Sequence, residues 1–175
     1  MSRVYRLSLM GVLCFTPLAQ ASGLLPGLWE LTPRNLQIDG QALPDLDRLM
    51  IGLENLPVEQ RDKLLDQLAR QGVQLAGRAV QVCLSAAQLR QADFVLPQGD
   101  CTPQLLEKGE QLWRFRFDCR GAQGTGETRF FGEREFVTRL EGRFAAQSAK
   151  PGHGRLESHG RWLGADCGGL APRGD

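Results

Sequence analysis

The sequence predicts an α+β protein: a curved antiparallel β-sheet or partial barrel with a two-helix insert near the N-terminus, stapled by two disulfides. Three observations carry this. Beyond Arg78, apolar residues recur at every second position in several short runs, as in strands with one buried face. From about Leu43 to Gly72 they recur at helical spacing instead. Four cysteines remain after an N-terminal leader, an even number in a chain bound for an oxidising compartment.

The leader comes first. MSRVYR carries two arginines and is followed by the apolar run LSLMGVLCFTPLA and by Ala19-Gln20-Ala21, a small-x-small cleavage pattern. Residues 1–21 therefore read as a secretory signal peptide, and the mature protein as periplasmic or secreted. The apolar core is shorter than the ~20 residues a membrane helix needs, and no later stretch suits a span. Lipidation at Cys14 is disfavoured by Leu13, where a small residue is required. Residues 22–169 suffice for a single β-rich domain, and 170–175 read as a flexible tail. Without Arg3 and Arg6, 19 basic residues face 20 acidic ones, which argues against nucleic acid as a partner.

GLWELTP opens the domain as a strand. Leu46, Leu49, Met50 and Leu53 then share one helix face, and Val58, Arg61, Leu64, Leu65 and Leu68 form a stripe on a second helix that starts at Pro57 and is ended by Gly72. These apolar faces are expected to pack on the sheet; the alternative is a partner-binding amphipathic hairpin. AVQVCLS is a strand. WRFRFDC places Trp113, Phe115, Phe117 and Cys119 on one side and Arg114, Arg116 and Asp118 on the other. EFVTRLEGRF and RLESHGRW alternate in the same way. Turns are expected at 107–109, Gly121 to Gly126, Gly132-Glu133 and Pro151-Gly152. At the C-terminus Trp162 continues the inward face, Gly164 lets the chain bend, and Asp166 enters the turn through its side chain.

PGLWELT after a signal peptide, VCLS, the cysteines at 101 and 119 and the terminal GRWLGADCGG together resemble the bacterial exported family known as domain of unknown function 3617 (DUF3617). The likeness spans most of the mature chain. It departs in the helical insert, which has few Met residues, and in CLS, where Thr is expected after Leu. The resemblance implies an exported envelope protein and carries no activity with it.

Catalytic chemistry finds little footing. A nucleophile needs an oriented base, and the nearest set is Cys167, His159 and Asp166, which a disulfide at Cys167 would disarm. Cysteine spacings of 18, 18 and 48 residues lack a zinc knuckle. GAQGTG has the composition of a phosphate loop without its strand-loop-helix setting and reads as a hairpin turn. Glu133, Glu135, Glu141 and Glu157 read as cross-strand ion-pair partners rather than a glycosidase pair. The expectation is no enzyme and no cofactor or metal.

Binding is the first functional reading. Residues 111–161 carry ten basic and six acidic side chains, residues 22–110 eight and twelve. Arg114, Arg116, Arg139, Arg143, Arg155 and Arg161 thus form a face for an anionic envelope ligand or a protein partner, unless neighbouring glutamates neutralise them. Trp29, Trp113, Phe115 and Phe117 line a pocket if the helices leave the apolar side unfilled, and are core otherwise. A passive structural or stress component is the second reading, a periplasmic hydrolase the third.

A hairpin turning near Gly109-Glu110 sets Cys101 opposite Cys119, which leaves Cys83 for Cys167. The competitor pairs Cys83 with Cys101, its neighbour in sequence. Non-reducing peptide mapping of the exported protein should yield a Cys101 peptide linked to a Cys119 peptide; a Cys83–Cys101 link would refute this register.

Overall fold

The computed structural model describes residues 23–42, 46–91, 101–145 and 152–170. The signal peptide, Pro151 and positions 171–175 lie outside them.

Nine strands form one antiparallel sheet: β1 (Gly27–Ile38), β2 (Gln41–Ala42), β3 (Val73–Ala76), β4 (Ala79–Leu84), β5 (Cys101–Lys108), β6 (Leu112–Cys119), β7 (Ala122–Phe130), β8 (Glu135–Phe144) and β9 (Gly152–Gly164). Their order is β3-β4-β1-β9-β8-β7-β6-β5, with β2 added to β1. Among the described residues the sheet is not closed, with β3 and β5 at its edges, in keeping with the expected curved antiparallel sheet or partial barrel. From β5 to β9 each strand pairs with the next in sequence, as short hairpin turns require. The long-range step is β1, which pairs with β9 from Leu28↔Gly164 to Ile38↔Gly154.

Alternation sorts side chains as expected. In β6 Trp113, Phe115 and Phe117 are buried while Arg114, Arg116 and Asp118 are exposed; in β8 Phe136, Thr138 and Leu140 are buried while Arg139, Glu141 and Arg143 are exposed. The inward residues join Trp29, Val82, Leu84, Leu89 and Phe130 in a single core. Trp29, Trp113, Phe115 and Phe117 are each at most 1 % exposed, so their side chains belong to the core. The two indoles satisfy their N–H groups locally: Trp29 Nε1 donates to the Leu25 carbonyl and Trp113 Nε1 to that of Gly109, each at 3.0 Å. Thr128 and Thr138 lie directly opposite and share a buried hydroxyl hydrogen bond of 2.8 Å.

The expected turn at Gly121 to Gly126 is corrected. Only Arg120-Gly121 turn, and Ala122 to Phe130 form β7. Its glycines serve packing: Gly126 sits between Phe115 and Leu140, Gly124 beneath Phe117. A side chain at either would occupy space the aromatic rings already fill.

The helical insert is found as α1 (Leu46–Glu54) and α2 (Val58–Arg70), followed by Gly72 at a positive φ of 71°. Its expected packing on the sheet is corrected for α2. No residue of α2 is buried, Val58, Leu64 and Leu65 are exposed, and α2 meets the sheet chiefly at edge strand β3, whereas Met50 and Leu53 of the expected α1 face are half-buried. The core that these faces were expected to cover is filled by the sheet's aromatics and by Leu89 of α3 (Ala86–Gln91). α3 begins in a capping box: Gln88 N donates to Ser85 Oγ, and Ser85 N to Gln88 Oε1.

Both disulfides form as derived. Cys101 lies directly opposite Cys119 and is bonded to it, and Cys83 is bonded to Cys167. Leu170, expected to open the tail, is instead buried at 7 % exposure.

Gly126→Ala should destabilise the domain by about 1–3 kcal/mol through overpacking against Phe115 and Leu140. Gly164→Ala, where an added β-carbon meets nothing within 4 Å, should stay within about 0.5 kcal/mol. Urea denaturation of both variants checks the contrast.

Candidate functional site

Because every second residue faces away from the core, the outward side chains of neighbouring strands fall into rows across the sheet. One row runs Glu107, Arg114, Glu127, Arg139, Glu157, Arg34 over β5, β6, β7, β8, β9 and β1. Charge alternates at every step. A second row runs Gln104, Arg116, Thr125, Glu141, Arg155, Gln37 over the same strands. The row between them, Phe115, Gly126, Leu140 and Leu156, turns its side chains the other way and leaves its backbone as a floor.

Here lies a groove of about 640 Å³, walled by Arg114, Glu127, Arg139 and Glu157 on one side and by Thr125, Glu141 and Arg155 on the other. Leu106 and Asn35 also line it. Each sits at a register shift, of β5 and β1 respectively, and Asn35 has a φ of 51°, in the left-handed region that Asn tolerates better than most residues.

All six arginines of the expected anion face are exposed on this side of the sheet. Four are engaged by glutamates: Arg114 with Glu107 at 2.6 Å, Arg139 with Glu157 at 2.7 Å, Arg155 with Glu141 at 3.2 Å and Arg161 with Glu30 at 2.8 Å. Arg116 and Arg143 have no carboxylate partner among the described residues; they stand opposite Gln104 and Thr125, and opposite Gln123 and His153.

Glu157 is the most engaged of the glutamates. Its two oxygens take Arg139 Nε at 2.7 Å and His159 Nε2 at 2.8 Å, and its side chain is 18 % exposed. The Arg139 hydrogen bond, reinforced by that from His159, holds its carboxyl below the usual carboxylate range, and the same contact raises the Arg139 guanidinium. Glu141 repeats the motif more loosely, with Arg155 at 3.2 Å and His153 Nε2 at 3.8 Å.

The C-terminal cluster is a fastening. Cys167 is spent in its bond to Cys83, Asp166 Oδ1 accepts from Gly168 N at 2.8 Å to form the expected turn, and His159 faces Glu157. Half-buried Trp162 donates through Nε1 to the Pro26 carbonyl at 3.1 Å while Arg134 lies over its ring, tying β9 to the start of the domain.

The sequence reading missed Glu30, Arg34, Asn35 and Glu107 as members of this face. The alternating signs along the rows were present, but they appear only once strand register and the β1–β9 pairing are known. Among the described residues no helix is long and apolar enough to cross a membrane.

A family model described as a protein of unknown function (DUF3617) matches residues 24–167. The chain is also similar to a Pseudomonas putida protein described as "Uncharacterized protein in lpd-3 5'region", with 41 % identity over 126 residues, covering 71 % of this chain and 89 % of the relative. No solved structure matches it.

Glu157→Gln should cost about 1 kcal/mol at pH 7, a value kept modest because Arg139 is half exposed. A depressed native value stabilises the fold above the ordinary carboxylate range and loses that effect as pH falls through the native value. The difference between wild type and variant should therefore shrink from pH 5 downward; a pH series of urea midpoints measures it.

Proposed function

Starting from a chain that belongs to the DUF3617 family, we propose an exported envelope protein that acts as a non-catalytic binding module, taking an anionic ligand on the arginine-bearing face of its sheet. The leader sequence and the two disulfides support the compartment. The observation that carries the binding role is the groove of about 640 Å³ with Arg114, Arg139 and Arg155 in its walls. A groove of this size is on the scale of small-ligand sites.

Its chemistry favours oxyanions over apolar ligands. The guanidinium groups present forks of donors, Thr125 and Asn35 add neutral polar groups, and Leu106 adds a small apolar contact. Each ion-paired arginine spends only part of its five donors on its glutamate, so a ligand can add to the existing pair. Arg116, adjoining the Thr125–Glu141–Arg155 wall, has no competing carboxylate among the described residues.

A thermal-shift screen of the mature protein against sulfated, phosphorylated and neutral saccharides tests this. The anionic ones should stabilise it, by about 2.7 kcal/mol at 100 times the dissociation constant. Arg116→Gln combined with Arg155→Gln should weaken that binding about tenfold or more, with folding kept. If neutral sugars shift the wild type as much as anionic ones, or none shifts it, the proposal fails.

A further inference from the structure

The chain contains two histidines, and the structure places both on β9, six residues apart, on the charged face. Each touches a glutamate that an arginine also holds. His159 Nε2 lies 2.8 Å from Glu157 Oε1, whose other oxygen accepts from Arg139. His153 Nε2 lies 3.8 Å from Glu141 Oε1, which also accepts from Arg155. The two glutamates and two arginines are groove wall residues.

The groove's own charges balance. Three wall arginines, Arg114, Arg139 and Arg155, face three wall glutamates, Glu127, Glu141 and Glu157. An incoming anion therefore competes with carboxylates already in place. Imidazole is the side chain whose charge ordinarily changes between pH 5 and 8. A protonated imidazole beside each glutamate adds a positive charge at the groove wall and takes over part of the carboxylate's neutralisation, which leaves Arg139 and Arg155 with donors to offer.

We infer that His159 and His153 gate the groove: with both imidazoles neutral its own glutamates oppose anions, and with both protonated it accepts a sulfated or phosphorylated saccharide. This rests on the anion-binding reading above and adds its regulation.

Charged groups of both signs face each ring. Around His159, Arg161 adjoins on the same strand, Val137 of β8 and Thr32 of β1 stand directly opposite, and Glu135, Arg139, Glu30 and Arg34 occupy the diagonal positions. Positive and negative groups are thus evenly matched there, with Glu157 in direct contact. Around His153, Arg143 stands opposite on β8 and Arg155 adjoins, against Glu141 and Asp39, whose Oδ1 accepts from the His153 backbone N–H at 2.8 Å. Glu157, held by Arg139 below the usual carboxylate range, stays ionised in mildly acidic solution, so the imidazole supplies the charge change at that point.

The test is isothermal titration of the full mature protein with sucrose octasulfate, whose charge is constant over the range used, at pH 5.5 and pH 8.0 and equal ionic strength. The expected result is affinity at least tenfold greater at pH 5.5. A His153→Gln, His159→Gln double variant should bind as the wild type does at pH 8.0 and lose most of the gain at pH 5.5; His159→Gln alone should lose the larger share, since its contact is the shorter. Equal wild-type affinities at the two pH values overturn the gate and leave anion binding standing. Loss of binding at both pH values overturns the anion-binding reading and the gate with it. A pH gain that survives in the double variant overturns the assignment to these histidines.

Discussion

The pairing of β1 with β9 is the constraint on which the remaining structure depends. β5 to β9 form a meander that local turns can build, and β3–β4 is a local hairpin, but the two halves become one sheet only when the first strand is laid between β4 and the last. That contact joins Glu30 to Arg161, 131 residues apart, so it closes a long loop at an entropic cost before any contact returns. The Cys83–Cys167 bond spans 84 residues and ties β4 to the end of β9 beside β1, which removes part of that cost from the unfolded chain, by about 4–5 kcal/mol in the chain-entropy view. The GRWLGADCGG segment is best understood as this clasp: Trp162 reaches the Pro26 carbonyl, Gly27 leaves no side chain where Gly164 and Ala165 approach, and Cys167 locks the end.

Once the strands are in register, alternation produces two surfaces from the same residues. One carries aromatic contacts, Trp29 with Phe136 across β9 at 5.1 Å and Trp113 edge-to-face with Phe130 of β7 at 5.0 Å, and needs glycines beneath the rings. The other carries rows of alternating charge. The two are coupled through the backbone: Gly126 and Leu140 serve the core with their inward sides and the groove floor with their peptides. Exposed ion pairs contribute little to stability singly. Their larger consequence is to set the charge balance of the groove.

Strand alternation in WRFRFDC and EFVTRLEGRF was legible because one face is fully buried, and the hairpin midpoint gave the cysteine register because the turn is short. β7 was not legible. Gln123, Gly124, Thr125 and Gly126 look like a turn when glycine is taken as a backbone signal, whereas here it is a packing signal answering Phe117 and Phe115 on the next strand. The capping box at Ser85 and Gln88 was in plain view, but α3 is too short to show a helical period. The outward position of the six arginines was legible from strand alternation; their partners were not, since Glu30 and Arg161 meet only through tertiary pairing.

The helical insert shows where periodicity stops informing. Its stripe of Val58, Arg61, Leu64, Leu65 and Leu68 meets the criterion for an amphipathic helix, yet Val58, Leu64 and Leu65 remain exposed and none of the five is buried. Periodicity reports that a helix has an apolar side, not that the domain has room for it. Here the core on the apolar side of the sheet is made by Trp29, Trp113, Phe115, Phe117, Phe130 and Phe136 together with Leu89, and no residue of α2 belongs to it. α2 is 13 residues long, a marginal length for a helix alone in water, and its Glu59–Lys63 pair adds only a few tenths of a kcal/mol. With β3, an edge strand, as its main contact on the sheet and no buried residue of its own, its stability is largely separate from that of the core. The groove, by contrast, is built on the central strands of the sheet, where pairing on both sides fixes every charged side chain's origin. A binding site with a fine charge balance belongs on such a rigid platform, because a shift of an ångström in one row would break the pairing that keeps its arginines neutralised.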